Sequence, residues 1–164
     1  MDRARHVFLG LGSNLGDREV NLRRALAELE SPTLHLLRTS SIYETEPIGF
    51  LDQGWFLNLA AEFETDLFPK QLLARLQRVE RSMGRHRTVK DGPRIIDIDI
   101  LLYGSSVIKS DELEVPHPRY RERRFTLAPL AELAPTMKDP VTGRTMAELL
   151  NALKGQTARR RDRS

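Results

Sequence analysis

Residues 90–102 read KDGPRIIDIDILL. After Pro93 the run is apolar and rich in isoleucine, which predicts a strand over residues 95–103. Side chains alternate between the two faces of a strand, so we expect Asp97 and Asp99 to share one face with Leu101 and Tyr103. The two carboxylates would then be held side by side, roughly 7 Å apart at Cα, among apolar neighbours.

This acidic pair requires an explanation in terms of charge. Two carboxylates at that distance repel each other, and removing them from water is costly unless a cation lies between them. Mg²⁺ is a suitable cation, because it takes one or two carboxylates and fills the rest of its shell with phosphate and water. From the pair alone, a strand whose acidic face is simply solvated is an equally good interpretation.

Basic residues around the strand favour the cation site. Residues 75–94 contain seven arginines and lysines against Glu80 and Asp91, a net charge of 7 − 2 = +5. A second cluster follows at 119–124, where four arginines face a single glutamate. Arginine clusters of this kind are typical of sites that hold polyphosphate.

The rest of the chain predicts an α+β fold. Apolar or alternating runs predict strands at 6–11, 34–43 and 56–64, and apolar residues at helical spacing predict helices after Asp17 and Asp66. Together with the strand at 95–103, the order is β-α-β-β-α-β, the ferredoxin-like arrangement. We expect an antiparallel sheet with helices on one face and with the first and fourth strands together at its centre. Short C-terminal helices follow, the last beginning with the capping box Thr145-x-x-Glu148.

Composition limits the classes of protein and of site. The 164 residues are enough for one domain, and 40% are hydrophobic and 30% charged, as in ordinary globular proteins. There is no cysteine, which excludes disulfides and thiolate chemistry and is typical of a cytoplasmic protein. The N-terminal segment lacks the apolar core of a signal peptide and no run is long enough to span a bilayer, so we expect no membrane partner.

The net charge is concentrated at the end of the chain. Residues 155–164 contain four arginines and one aspartate, a net +3, which equals the net charge of the whole chain. Residues 1–154 are therefore neutral overall, and we interpret them as a single domain without a general attraction for nucleic acid. The basic tail at 155–164 has little to bury, so we expect it to be disordered.

Three other segments could contact a ligand. The glycine-rich turn at 10–16 lacks the Gly-Lys-Ser/Thr of a phosphate loop, and we interpret it as a tight strand-to-helix turn. Aromatic residues at 43, 50, 55 and 56 surround Asn58 in sequence, which could bind the edge of a flat heterocycle, with Phe125 as an opposing ring. His117, between two prolines, is either structural or a donor to phosphate. With the acidic pair and the arginines, these features favour phosphoryl or pyrophosphoryl transfer from a nucleotide.

The order of the motifs is recognisable. The segment Lys90-x-Gly92-Pro93-Arg94-x-x-Asp97-Ile98-Asp99-Ile100-Leu101 closely resembles the motif of the 6-hydroxymethyl-7,8-dihydropterin pyrophosphokinases. The resemblance covers about residues 6–153 and includes Gly12-Ser13-Asn14-Leu15, Tyr43-x-Thr45-x-Pro47, Phe56-Leu57-Asn58, Gln77-x-x-Glu80, Gly84-Arg85-x-Arg87, Val115-Pro116-His117 and Arg123-x-Phe125. Departures include Asp91 where many members have Trp, and Glu46 where Pro is frequent.

The resemblance implies an ATP-dependent pyrophosphokinase of folate biosynthesis. Members of the family transfer pyrophosphate from ATP to the hydroxymethyl group of the pterin and release AMP, with two Mg²⁺ per active site. The matching positions imply metal ligands Asp97 and Asp99, catalytic arginines Arg85 and Arg94, ATP contacts Gln77, Glu80, Arg87, Ile100, His117 and Arg123, and pterin contacts Thr45, Pro47, Ile48, Phe56, Asn58 and Phe125. The implied partners are these two small molecules, bound by a monomer.

Two alternative functions stay open. A ferredoxin-like sheet is also the scaffold of RNA-binding modules, but those carry an aromatic-rich third strand, whereas residues 56–64 read FLNLAAEFE. A metal-dependent phosphatase would use the same acidic pair and would hydrolyse ATP to ADP and phosphate without any pterin.

Overall fold

The computed structural model describes residues 5–47, 52–84 and 93–161. Its elements in chain order are β1 (Arg5–Ser13), α1 (Arg18–Leu29), β2 (Leu34–Thr39), β3 (Tyr43–Thr45), β4 (Phe56–Thr65), α2 (Pro69–Ser82), β5 (Asp97–Tyr103), β6 (Ile108–Lys109), β7 (Glu114–Val115), a 3₁₀ turn (Tyr120–Glu122), α3 (Arg124–Leu133), α4 (Met146–Ala152) and β8 (Ala158–Arg160). Within these ranges, no helix is both long enough and apolar enough to cross a bilayer.

The main sheet is antiparallel and has six strands. β1 lies between β4 and β5, and β4 is long enough to pair with both β2 and β3. This confirms the predicted α+β class, and the strand order is compatible with the ferredoxin-like arrangement. The acidic strand was predicted to lie beside the first strand at the centre of the sheet. β5 does pair with β1, but the central position is wrong, because β5 is at the edge of the sheet. After β5 the chain turns away into the separate β6–β7 hairpin.

The strand predicted over 34–43 is two strands, β2 and β3. Ser40 separates them by bonding to β4 with both its main chain and its side chain. Its N–H donates to the carbonyl of Ala60 (2.8 Å), and its Oγ accepts from the Ala60 N–H (2.9 Å). Because a hydroxyl takes the place of a backbone acceptor here, the regular ladder ends and the chain resumes pairing at Tyr43.

Helices cover both faces of the sheet. α1 and α2 pack on one face through fully buried leucines such as Leu22 and Leu76. α3 and α4 pack on the other face through Leu127, Leu130 and Met146. The expectation of helices on one face only is therefore wrong, because α3 carries enough apolar residues to bury a second, smaller core.

A β-bulge in β5 changes the predicted facing of its C-terminal half. Leu9 of β1 pairs with Ile100 and Phe8 pairs with Leu102, so Leu101 is an extra residue without a partner on β1. Beyond the bulge the alternation is inverted, and Leu102 joins the second core while Tyr103 joins the first. Asp97 and Asp99 therefore share a face with Leu101, as expected, but not with Tyr103.

The described part of the tail that was predicted to be disordered contains a strand. Residues 158–160 form β8, which pairs antiparallel with β3 in the register Thr45↔Ala158, Glu44↔Arg159 and Tyr43↔Arg160. The expectation is wrong for these residues because they are stabilised by backbone pairing with an edge strand, which requires no apolar side chains of their own.

Asp139 anchors the segment that follows the second arginine cluster. Its carboxylate is fully buried and accepts hydrogen bonds from the Tyr120 hydroxyl (2.6 Å), from two nitrogens of Arg121 and from the N–H of Val141 (2.8 Å). Although burial alone would raise it, the bonds from Arg121 and Tyr120 hold the pKa of Asp139 well below its usual value. The cluster joins the 3₁₀ turn to the start of the 139–145 turn.

We expect Asp139→Asn to lower the free energy of unfolding by about 3 kcal/mol, because it leaves the partly buried guanidinium of Arg121 without its anionic partner. In the natural protein, this contribution is present above the pKa of an unfolded aspartate, about 4, and is lost as the pH falls below it, since the folded-state pKa is depressed. Urea unfolding of both proteins between about pH 3 and pH 7 measures this. The exposed Asp111→Asn is the matched control, and an equal loss in that variant would contradict the assignment.

Candidate active site

Asp97 and Asp99 lie half-buried on β5, opposite glycines of the central strand. Asp97 pairs with Gly12 and Asp99 with Gly10 of β1. A glycine has no side chain to fill the space above the sheet, so the carboxylates border a floor made of backbone. A Cβ at Gly10 would lie 3.3 Å from the flexible Leu101 side chain, so a small side chain there needs only a slight shift of that leucine.

Gly12 also separates the acidic pair from Asn58. In the register of the sheet, Asp97, Gly12 and Asn58 form one row across β5, β1 and β4. A Cβ built on Gly12 would collide with Oδ1 of Asn58 and lie 3.5 Å from Cδ1 of Phe56. The absence of a side chain at Gly12 therefore keeps open the space between the carboxylates and Asn58.

The polar residues on the other side of this row are bonded to one another. Asn58 is buried and donates from Nδ2 to Oγ1 of Thr45 (2.6 Å), and Thr45 pairs in the sheet with Phe56. Pro47 is buried just beyond Thr45, and Phe56 is half-buried. An amide held in place beside a partly exposed ring can recognise the edge of a flat heterocycle.

Arg94 is paired with the first carboxylate. Its Nη1 donates to Oδ2 of Asp97 at 3.1 Å, and both side chains are about three-quarters buried. The guanidinium offsets part of the negative charge of the acidic pair. A guanidinium at this place can also bind a phosphate oxygen, because its donors match the geometry of both anions.

Asn14 connects three segments around the site. Its backbone N–H donates to the Arg94 carbonyl (3.1 Å) and its Oδ1 accepts from the Arg94 N–H (2.8 Å). Its Nδ2 donates to Oε1 of Gln53 (2.8 Å) and to the carbonyl of Gly54 (3.0 Å). This buried side chain thus holds the segment before β5 against the segment before β4.

His117 lies beside the bulge of β5. Its backbone N–H donates to the carbonyl of Leu101 (3.1 Å), and its Nδ1 accepts from the Arg119 N–H (3.3 Å). Burial lowers the pKa of His117 below its usual value, and the charge of Arg123 lowers it further. The neutral ring therefore carries its proton on Nε2, where it can donate to an anion.

The remaining predicted ATP contacts among the described residues differ in burial and in what they bond to. Glu80 of α2 is buried and accepts the N–H of Ile98 (2.9 Å), so it holds the backbone of β5. Ile100 is buried in the first core, which leaves only its main chain to contact a nucleotide. Gln77 is exposed on α2, one turn before Glu80, and Arg123 stacks on the ring of Phe125, 5.5 Å from its centroid.

Sequence reasoning missed the roles of Gly12 and Asn14. Both lie in the quoted motif Gly12-Ser13-Asn14-Leu15, and that motif was the available signal, although a tight turn was its simpler interpretation. Three predicted residues, Ile48, Arg85 and Arg87, lie outside the described residues. The structure brings together Asp97, Arg94, Asn58, Thr45 and Phe56 around the floor at Gly12.

Comparison with known proteins gives one consistent family. A family model described as 7,8-dihydro-6-hydroxymethylpterin-pyrophosphokinase (HPPK) matches residues 8–135. The 2-amino-4-hydroxy-6-hydroxymethyldihydropteridine pyrophosphokinase of Bacillus subtilis is 47% identical over 137 residues, which is 83% of this chain and 82% of that protein. The protein of the same name from Aquifex aeolicus is 42% identical over 142 residues, covering 87% of this chain and 88% of the relative.

Longer relatives and solved structures agree with this. The folate synthesis bifunctional protein, mitochondrial, of Pisum sativum is 46% identical over 136 residues, and the chain spans 26% of its length. The crystal structure of wild-type HPPK-DHPS from Plasmodium falciparum superposes with a TM-score of 0.72 over 92% of this chain and 45% of that one, at 17% identity. At that identity, the likeness shows the fold.

Proposed function

The chain belongs to the 7,8-dihydro-6-hydroxymethylpterin-pyrophosphokinase family, and from this premise we propose that its site transfers pyrophosphate from ATP to the hydroxymethyl group of 6-hydroxymethyl-7,8-dihydropterin. One observation carries the assignment of the site. It is the row Asp97–Gly12–Asn58, in which a carboxylate suited to hard cations on β5 and a buried amide on β4 are separated by one glycine of β1, and this row supports the proposal. The two reacting groups would meet above the backbone of Gly12.

We propose that Asp97 and Asp99 hold Mg²⁺, two ions per site. The described part of the chain contains no group of three or more histidines, aspartates or glutamates that could hold a metal by themselves. Two half-buried carboxylates fit an ion that completes its shell with phosphate oxygens and water. When bound, Mg²⁺ supplies positive charge to the phosphate oxygens of ATP.

The reaction balances as a single displacement at phosphorus. The hydroxymethyl oxygen forms a bond to the β-phosphorus, and the bond from that phosphorus to the oxygen bridging the α-phosphate breaks. AMP departs with that bridging oxygen, and the hydroxyl proton is lost to water. Catalysis of this kind consists mainly of positioning the two substrates and stabilising charge on the phosphate oxygens.

Each residue of the site has a part in that task. Arg94 offers its guanidinium to the transferred phosphates once they approach Asp97, and His117 donates from Nε2 to a phosphate oxygen. Asn58 and Thr45 hydrogen-bond the edge of the pterin, which orients its hydroxymethyl group towards Asp97. We propose that the enzyme acts as a monomer in the cytoplasm, with these two small molecules as its substrates.

The direct test is incubation with ATP, Mg²⁺ and the hydroxymethyldihydropterin, with nucleotide products separated by chromatography. We expect AMP and the pterin diphosphate in equal amounts, and no AMP when the pterin is omitted. Release of ADP and phosphate without pterin would instead indicate a phosphatase. Retention on homopolymer RNA together with inertness towards ATP would indicate an RNA-binding module.

We expect Phe56→Ala and Phe125→Ala each to weaken pterin binding by about tenfold, while the affinity for an ATP analogue changes less than about twofold. Stacking on an aromatic ring contributes roughly 1 kcal/mol beyond the area that it buries. Titration of each ligand by calorimetry measures both affinities. Phe68→Ala, which removes a more exposed ring at the start of α2, is the matched control. Equal losses for both ligands would show that Phe56 and Phe125 are structural.

A further inference from the structure

The last segment of the chain that the structure describes contacts both sides of the proposed pterin pocket. The proposed pterin contacts Thr45 and Pro47, at and just after the end of β3, form one side of this pocket, and the proposed contact Phe125, in the first turn of α3, forms the other. Residues 155–161 lie after the residues that the family model matches. We call residues 155–161 the strap.

On the β3 side, the strap binds the main chain and one side chain. β8 pairs with β3 across Thr45 and Ala158, and the N–H of Arg161 donates to the carbonyl of Ile42 (2.8 Å). The N–H of Thr157 donates to Oε1 of Glu46 at 2.7 Å. Glu46 lies between two proposed pterin contacts, Thr45 and Pro47, so this bond restrains the backbone of both. A bond from an N–H to a carboxylate is stronger than one between neutral groups.

On the α3 side, the strap caps a helix that has no capping side chain of its own at Arg123. Gln156 accepts the N–H of Arg124 at Oε1 (2.8 Å) and donates from Nε2 to the carbonyl of Glu122 (2.9 Å). These two bonds flank Arg123, whose guanidinium stacks on Phe125. Arg124 in turn donates to the carbonyls of Gly155 (3.1 Å) and Leu153 (2.8 Å).

The backbone of the strap has an uncommon conformation at Gln156, between its contacts with α3 and its contacts with β3. Gln156 has a φ of 55°, in the left-handed region that a residue with a side chain adopts at some cost. The hydrogen bonds of its side chain on one side and of Thr157 on the other offset this cost. Charge adds to the docking, since Arg160 lies 3.7 Å from Glu132 and Arg161 lies 3.9 Å from Glu19.

We propose that the strap is part of the pterin site, and that Glu46 and Gln156 are positioning residues that set the distance between the Thr45 side and the Phe125 side of the pocket. Neither side chain needs to touch the substrate. The strap therefore tunes pterin affinity, and it makes no hydrogen bond to the acidic pair; Arg123 is the proposed ATP contact that it borders. This inference rests on the proposed function for the identity of the ligand.

Point variants of the full chain test it. Glu46→Ala and Gln156→Ala should each raise the KM for the pterin by about tenfold, the loss expected for one or two well-placed hydrogen bonds, with kcat changed less than about twofold. ATP-analogue affinity should change less than about twofold in Glu46→Ala, and clearly less than pterin affinity in Gln156→Ala, which borders Arg123. Glu46→Gln retains an oxygen that can accept from Thr157 and should restore most of the pterin affinity. Lys154→Ala, an exposed change just before the strap, is the control and should behave as the natural protein.

Binding of the pterin analogue in the absence of ATP, measured by calorimetry, gives a readout that does not depend on turnover. An unchanged pterin affinity in both alanine variants would overturn the inference. Equal losses of pterin and ATP affinity would also overturn it, because they would make the strap a general stabiliser. If the natural protein forms no AMP and binds no pterin, the proposed function fails and the inference fails with it. If the natural protein is active and only the variants behave otherwise than expected, the inference alone fails.

Discussion

Asp97→Ala and Asp99→Ala are each expected to reduce pyrophosphoryl transfer by about a thousandfold, while the protein stays folded. Both carboxylates face the floor formed by Gly10 and Gly12, and no third acidic or histidine ligand accompanies them among the described residues. Removing either one therefore removes half of the anionic ligands offered to a cation. The measurement is the rate of AMP formation as a function of Mg²⁺ concentration, with circular dichroism to monitor folding.

The two variants should differ in stability. Asp97 is bonded to Arg94, so its loss also leaves a partly buried guanidinium with one partner fewer, and we expect no gain in the free energy of unfolding. Asp111→Ala, an exposed change in the turn between β6 and β7, is the matched control for charge removal. Near-normal turnover in Asp97→Ala or Asp99→Ala would contradict a metal site, and inactivity with unfolding would indicate a structural pair.

Gly12→Ala is expected to lower kcat/KM for the pterin by about a hundredfold, which is the loss typical of a reacting group displaced by about 1 Å. The added methyl group would occupy the space of the Asn58 amide oxygen and approach the Phe56 ring. Asn58 would have to turn away from Thr45, and the bond that orients it would break. Steady-state kinetics with the pterin varied at saturating ATP measures the effect.

Gly10→Ala is the control for this variant, because it adds the same methyl group to the same strand two residues away. There the nearest atoms belong to the end of the Leu101 side chain, which can shift by a few tenths of an ångström. We expect its pterin kinetics to stay within about threefold of those of the natural protein. Similar losses in both variants would show that β1 tolerates no side chain at either position, and the special role of Gly12 would be wrong.

Local sequence was enough to predict the acidic strand, and the use of its carboxylates as metal ligands stays a prediction. Alternation along residues 97–99 depends only on the geometry of an extended chain, so the shared face of Asp97 and Asp99 did not depend on any partner strand. The α+β class followed in the same way, from the strand-like or helix-like spacing of apolar residues in successive segments. The motif around Arg94 and Asp97 also identified the family. Its isoleucines are the residues that a buried strand needs, whereas Arg94, Asp97 and Asp99 are charged residues that strand formation does not require.

Features that depend on which strands pair and on how helices pack against them could not be predicted from the sequence. The bulge at Leu101 arises from the fit of β5 to β1, and it is the reason that Tyr103 faces the first core. Glu80 was predicted to contact ATP, a role that stays a prediction, and its observed bond to the Ile98 N–H depends on the packing of α2 against β5. The position of β5 at the sheet edge likewise depends on the path of the whole chain.

The residue types of the candidate site and the shared face of its two carboxylates were thus readable from short stretches of sequence, because residue type and strand alternation are local properties. The shape of the site was not, because it depends on contacts between residues that are far apart in the chain. The backbone floor at Gly12 forms because β1 pairs with both β5 and β4 and so lies between Asp97 and Asn58. The hydrogen bonds of Asn14 likewise join residues 14, 53 and 94. The strap is the clearest case, since a polar, arginine-rich tail has no apolar pattern that predicts order. It is ordered because β3 offers an unpaired edge and because Glu46 and Arg124 accept and donate the hydrogen bonds that hold it there.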